Sequence, residues 1–234
     1  MTLKIYDDLE QGSDEWLQAR CGLLTASEIR LMVTPSTYKK ANNEKLREHI
    51  WELAGQRITD HVEPTYIGEA MLRGHRDEAL AREIYKQHYS ADIKEVGFIT
   101  NDKWGFTMGF SPDWLVGNRG FAECKSRNQK YQAKVIATGE IDKEHYLQVQ
   151  GGMLIAERHW CDYVSYSGGM PMFVLRVMPD PEVQAIILEA AAEFHVNLDK
   201  CIEEYNTTLK KKKYIMTERI EENDGDIILT GDEE

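Results

Sequence analysis

The sequence predicts an α+β domain, with helices through its first ninety residues and then a sheet flanked by further helices. Three observations carry this. Apolar residues recur at helical spacing in the N-terminal third, short runs broken by turn signals follow Ser90, and a long amphipathic helix begins after Asp180. The stretch around Ser13 to Arg20 reads as a first helix, and a second begins near Thr25-Ala26-Ser27. Asn42 or Asn43 can cap the next, whose Leu46, Ile50 and Leu53 share one face. From about Tyr66 to His88, residues Ile67, Met71, Gly74, Glu78, Ala81 and Tyr85 fall on one line at alternating spacings of four and three. Glu78 therefore lies on the inward stripe.

After Ser90, runs at 95–100, 105–109, 113–116 and 120–125 are separated by Asn101-Asp102, Ser111-Pro112 and Gly117-Asn118, which predicts an antiparallel meander. Helical patterns resume at 128–138 and 142–156. Two more strands, 160–165 and 172–178, are joined by Ser167-Gly168-Gly169. The last helix is capped by Asp180, opens on Pro181 and carries the stripe Val183, Ile187, Ala190, Phe194, Leu198, Cys201 and Tyr205. It is expected to end near the lysine run 210–213.

Composition narrows the function. The chain has 234 residues, 42% hydrophobic and 29% charged, enough for one domain over residues 1–220, with a helical N-terminal region (residues 1–90) and a sheet core (residues 91–205). The acidic tail 221–234 is expected to be mobile. No apolar run approaches the roughly 18 residues of a membrane span, and the segment Met1 to Asp8 lacks the regions of a signal peptide, so a cytoplasmic protein is expected. Cysteines 21, 124, 161 and 201 are too scattered for a zinc ribbon and read as reduced thiols. The net charge of -12 argues against a surface coated in phosphate contacts. Any DNA site must be a basic channel in an acidic body.

The chemistry concentrates at Ser111-Pro112-Asp113 and, ten residues after the aspartate, Glu123-Cys124-Lys125. If Asp113 and Glu123 lie on neighbouring strands, both reach one hard divalent cation while Lys125 meets an attacking water. Each residue also has a plain structural reading. Asp113 suits a turn, and Glu123 with Lys125 suits an ion pair on an edge strand. Glu78 resists that treatment, because an inward carboxylate is costly unless paired or bound to metal. Gln148 sits on the second helix after the Glu-x-Lys strand, followed by Gly151-Gly152 in mid-helix. Glycine there costs about 1 kcal/mol per residue against alanine, so either the backbone approaches something closely or the helix kinks.

Together these residues resemble the PD-(D/E)-x-K nuclease core, with Gln148 matching the extra glutamine of its RecB-like branch. The string Gln11-Gly12-Ser13-Asp14-Glu15-Trp16, then Arg20, then Thr25-Ala26-Ser27, is similar to the YqaJ-type viral recombinase family. The resemblance spans about Gln11 to Tyr205 and implies a restriction-endonuclease-like core, a central mixed sheet flanked by helices. It implies that Asp113 and Glu123, with the Cys124 carbonyl, hold two Mg2+ ions, for which Mn2+ can substitute. Lys125 would orient and help deprotonate the water, Glu78 would serve water at the second metal, and Gln148 would support the lysine. Arg20, Ser27 and Ser111 match the pocket for a terminal 5'-phosphate; by themselves they read as a surface cation and helix caps.

The resemblance further implies a 5'-to-3' exonuclease that degrades one strand of linear duplex DNA and leaves a 3' strand for single-strand annealing. It would act as a ring of three subunits beside an annealing protein, in a phage or prophage setting. Met71 falls near the position of a strand-separating wedge, with core packing as its plain alternative. Two departures stand out: histidine at 145 where an aromatic tyrosine is expected, and the acidic tail. Two other readings stay open. A site-specific endonuclease of the same core needs no 5'-phosphate pocket, and a non-catalytic DNA-binding phage protein needs no intact Lys125. A helicase-nuclease is excluded by size and by the absence of a Gly-x-x-x-x-Gly-Lys-Ser/Thr loop. A RecB-type iron-sulfur site lacks its late cysteines.

Overall fold

The structure, a computed structural model, describes residues 2–63 and 68–219. The acidic tail, and the Tyr66 and Ile67 start expected for one helix, lie outside them. Strand β1 (Leu3–Tyr6) leads to helix α1 (Asp14–Arg20), capped by the Ser13 hydroxyl, which accepts from the Trp16 amide. After β2 (Leu24–Thr25), the expected second helix is a 3-10 turn, Ala26–Glu28, and a single α-turn, α2 (Ile29–Met32). It stops there because Thr34 precedes Pro35, which disfavours helical backbone, and β3 (Val33–Thr34) pairs with β4 (Lys39–Lys40). Asn43 caps α3 (Glu44–Thr59) by accepting from Leu46, as the sequence suggests. Helix α4 (Glu69–Tyr89) is continuous through Gly74.

The strands that follow do not form one meander. Strand β5 (Ile93–Lys94) lies on the edge of one sheet, whereas β6 (Phe98–Asn101) and β7 (Met108–Phe110) belong to another. That sheet has the order β1-β6-β7-β2, with β2 parallel to β7. The chain leaves it at Ser111-Pro112, where proline has no N–H to continue the ladder. Strands β8 (Trp114–Val116) and β9 (Gly120–Ser126) then form a hairpin in the second sheet. Helices α5 (Gln129–Thr138) and α6 (Lys143–Ala156) bring the chain back to β10 (Trp160–Tyr166), parallel to β9, and β11 (Phe173–Val177). The order is β11-β10-β9-β8-β5. Both sheets are mixed.

Alternation along β9 and β10 builds two cores. Phe121 and Tyr163 face the larger one, with Leu147 and Met153 of α6. Ala122 and Val164 face the smaller one, with Ala81 and Tyr85 of α4 and with Trp114. Helix α7 (Pro181–Lys211) starts on Asp180, which accepts from the Glu182 and Val183 amides, and its stripe is buried from Val183 to Leu198. Each fully buried Ile, Leu or Phe there contributes about 1.5–3 kcal/mol. Past Leu198 the stripe surfaces, and Tyr205 is exposed.

Two sets of contacts fix α4 and α6, the helices that carry Glu78 and Gln148. Buried Asp162 on β10 accepts from the Tyr85 hydroxyl at 2.6 Å and from Arg176 at 2.8 and 2.9 Å, pinning α4 to the sheet. Gly151 and Gly152 in α6 answer the choice between close approach and a kink. A Cβ at Gly151 would stand 1.9 Å from Ile29 Cδ1, and one at Gly152 would stand 2.8 Å from the Phe110 ring. The helix runs unbroken because it must touch α2 and β7. The four cysteines are free thiols. Among the described residues no helix is long and apolar enough to cross a membrane.

Candidate active site

The hairpin register pairs Trp114 with Ala122, which sets Asp113 opposite Glu123 at the strand end. The Cys124 amide donates to Asp113 Oδ2 and holds that carboxylate against β9. Glu123 and Lys125, two residues apart on one strand face, both point toward α6. There Lys125 Nζ lies 2.7 Å from Glu123 Oε1 and 3.0 Å from Gln148 Oε1, and Gln148 Nε2 donates to Glu123 Oε1 at 2.6 Å. This is a closed triangle. From the other side, α4 presents Glu78, 3.9 Å from Arg82, which itself pairs with Glu95 at 2.8 Å.

Electrostatics set this cluster apart from a structural ion pair. Burial, with Glu123 and Glu78 adding, pushes the Asp113 carboxyl well above its usual range. Burial likewise lifts Glu78 to about 7; Arg82 opposes this, and Glu123 and Glu95 reinforce it. Burial disfavours the Lys125 charge, yet Glu123 and Asp113 outweigh it and hold the ammonium firmly. One ammonium does not neutralise three neighbouring carboxylates. Glu123 Oε2 is buried with no hydrogen-bond partner among the described residues, an expensive arrangement unless something cationic meets it.

The donor set fits a hard divalent cation. Among the described residues no three His, Cys, Asp or Glu side chains form a ready-made metal cage. Magnesium does not require one: it is commonly held by one or two carboxylates, with water and substrate phosphate completing the shell. The unpartnered Glu123 Oε2 gives up no protein hydrogen bond by turning to a cation. Burial pushes the Cys124 thiol well above its usual range, so the residue could contribute only through its carbonyl.

The predicted phosphate residues also converge. Arg20 donates to the Ser111 hydroxyl and to the Thr25 hydroxyl, both at 3.4 Å, and Thr25 Oγ1 lies 3.0 Å from Ser27 Oγ. The guanidinium stacks 4.2 Å from the Trp16 ring, whose Nε1 donates to Ser111 at 3.0 Å. Burial lowers the Arg20 pKa, with Glu28 opposing, but a guanidinium stays charged. No carboxylate pairs with it directly among the described residues, which leaves a fork with two hydroxyls for an anion. Ser111 and Asp113 are two residues apart, so pocket and carboxylate cluster adjoin. Gln11 ties them to the N-terminal segment by donating to the Pro112 and Val96 carbonyls at 2.9 and 3.3 Å.

The structure also locates Met71 and His145. Met71 is 45% exposed, so the core-packing reading fails for it. His145 stacks on Tyr163 and shares a 3.0 Å hydrogen bond with its hydroxyl; burial, then Lys125 and Arg127, holds its pKa down to about 3. A neutral ring fills the site expected for tyrosine. Trp16 and Thr25 had no assigned role in the sequence, although both lie in the strings that carry the family resemblance. The capping-box spacing Thr25-x-x-Glu28 was the available signal.

A profile of the YqaJ-like viral recombinase domain matches residues 15–159. An alkaline exonuclease (LHK-Exo) from Laribacter hongkongensis is similar at 30% identity and TM-score 0.76, over 85% of this chain and 99% of that one. Its complex with dAMP matches at 31% identity, with the same coverage and TM-score. A phage-related exonuclease from Haemophilus somnus 129PT shares the fold at 13% identity and TM-score 0.57, over 78% of this chain and 96% of its own. No curated protein sequence matches. These likenesses agree with the restriction-endonuclease-like architecture of two mixed sheets flanked by helices. The chain belongs to the YqaJ-like viral recombinase domain family.

Proposed function

We propose that the chain is a divalent-metal-dependent exonuclease that degrades one strand of linear duplex DNA from a 5'-phosphorylated end. The observation that carries this reading is the adjacency of two sites. An anion pocket of Arg20, Ser27 and Ser111 lies two residues from Asp113, in a carboxylate cluster short of positive charge. A nuclease that cuts internally has no use for an end-binding pocket. A non-catalytic relative has no need to keep the costly cluster of Asp113, Glu123 and Glu78.

Asp113 and Glu123, with the Cys124 carbonyl, would hold two Mg2+ ions. The ions supply charge stabilisation at the scissile phosphate and a more acidic water. Lys125 stays protonated against the carboxylates, so it does not take the water's proton as the resemblance implies; its ammonium orients the incoming water and steadies charge on the phosphoryl oxygens. Gln148 keeps Lys125 and Glu123 in fixed register. Glu78, near 7 in the metal-free protein, holds water beside them. Arg20 and the two hydroxyls grip the terminal phosphate, which sets how far the strand enters and gives the reaction its 5'-to-3' direction. Exposed Met71, on the helix that carries Glu78, is available as the wedge that parts the strands. A trimeric ring, an annealing protein as partner and a phage setting complete the reading.

The test compares linear duplexes with 5'-phosphate and 5'-hydroxyl ends. The phosphorylated duplex is digested faster, and Arg20→Ala removes most of the difference. Equal rates for the unaltered chain would remove the pocket from the reading.

A further inference from the structure

Behind the phosphate pocket lies an acid-base pair, a buried His49 and a half-buried Glu28, with no part in the roles described so far. Thr25 is 3% exposed, and both its amide and its hydroxyl donate to Glu28 Oε2 at 2.9 Å. With that hydrogen committed, Thr25 Oγ1 faces the pocket as an acceptor for Arg20 Nη2. Glu28 Oε2 in turn lies 3.5 Å from Nε2 of His49, an ion-pair distance that leaves this buried nitrogen without a hydrogen bond among the described residues; His49, only 5% exposed on α3, has its Nδ1 2.9 Å from Glu52 Oε2. From α7 the facing group is the uncharged ring of Phe194, 5.7 Å away.

A capping box accounts for Thr25 and Glu28. It does not account for the histidine. An unneutralised carboxylate this close to Arg20 would weaken a pocket meant for phosphate, since like charges repel strongly where water is scarce. Burial disfavours a charged His49, but Glu28 and Glu52 outweigh it and hold the imidazolium above its usual range. Burial also disfavours the Glu28 charge, and His49 with the Thr25 amide outweighs that. Each member thus favours the charged form of the other.

We propose that Glu28 and His49 are positioning residues for the terminal phosphate: Glu28 fixes the Thr25 hydroxyl against Arg20, and His49 cancels the carboxylate's charge so that the pocket still attracts an anion. The inference rests on the phosphate-pocket reading above and deepens it. It makes opposite predictions for the two partners, whereas a structural pair would be damaged alike from either side.

The experiment measures KM for short linear duplexes with 5'-phosphate and with 5'-hydroxyl ends. The readout is the ratio of the two values in the unaltered chain, His49→Gln, Glu28→Gln and the double variant. His49→Gln leaves the carboxylate uncompensated and lowers the preference for phosphate by about tenfold, mainly through KM. Glu28→Gln keeps an acceptor for Thr25 without the charge, and retains or raises the preference. The double variant recovers most of what His49→Gln loses. A preference unchanged in His49→Gln, or lowered equally in all three variants, overturns the inference. If His49→Gln fails to fold, Glu28→Gln decides alone: a lowered preference refutes charge compensation. Equal KM values for both ends in the unaltered chain overturn the pocket reading and the inference with it.

Discussion

Replacing Glu78 with glutamine should stabilise the metal-free protein at alkaline pH while impairing catalysis. In the folded chain the Glu78 carboxyl moves from an ordinary 4.5 to about 7, first through burial and then through Glu123 and Glu95, against the pull of Arg82. The folded state binds this proton more tightly than the unfolded chain does. Its contribution to stability is therefore complete below pH 4.5 and is lost as pH rises through about 7. At 1.36 kcal/mol per pH unit, the full loss is about 3 kcal/mol. The side chain is 28% exposed, so screening brings the measurable value to about 1–3 kcal/mol. Urea unfolding in EDTA reads it directly. Glu78→Gln should exceed the unaltered chain by that amount at pH 8.5 and by less than half of it at pH 5.5. Magnesium at pH 8.5 should then stabilise the unaltered chain more than the variant. Glu78→Gln less stable than the unaltered chain by a similar amount at both pH values would refute the reasoning and make Glu78 a structural partner of Arg82.

Gln148→Ala deletes the bonds of 2.6 and 3.0 Å that hold Glu123 and Lys125 together. Single-turnover hydrolysis should slow by roughly 10–100-fold, with DNA affinity nearly unchanged. Gly151→Ala would set a Cβ 1.9 Å from Ile29 Cδ1. Thermal unfolding should show a net loss of about 1–2 kcal/mol, because overpacking exceeds the helix-propensity gain of about 1 kcal/mol. Affinity for duplex DNA should fall steeply with salt although the chain carries a net charge of -12, because each phosphate contact releases counterions; a flat response in a filter-binding titration would contradict a local basic channel.

Local rules carried much of this structure. Asn43, Asp180 and Pro181 marked helix starts because capping depends on a few adjacent residues, and α3 and α7 begin where those signals stand. The pairing of Asp113 with Glu123 was legible for a similar reason. A spacing of ten with one turn between Asp113 and Glu123 leaves a hairpin little freedom in register. The division into two sheets was not legible, since nothing near Ser111-Pro112 reveals that β7 pairs with distant β2 and β9 with β10. Such pairings depend on the whole core. The same limit applied to Thr25, Glu28 and His49, because the last joins the pocket from another helix. Met71 misled in its own way: it shares a helical line with Ala81 and Tyr85, but the packed face of α4 ends before reaching it.

The most direct test of the central claim is a gel time course on linear duplex DNA labelled at either the 5' or the 3' end, with Mg2+ present. A 5'-to-3' exonuclease releases the 5' label at once as mononucleotide and shortens the 3'-labelled strand progressively; Lys125→Ala and EDTA each stop both changes while DNA binding persists. Early release of the 3' label, cutting of covalently closed duplex, or undiminished hydrolysis by Lys125→Ala would contradict the account.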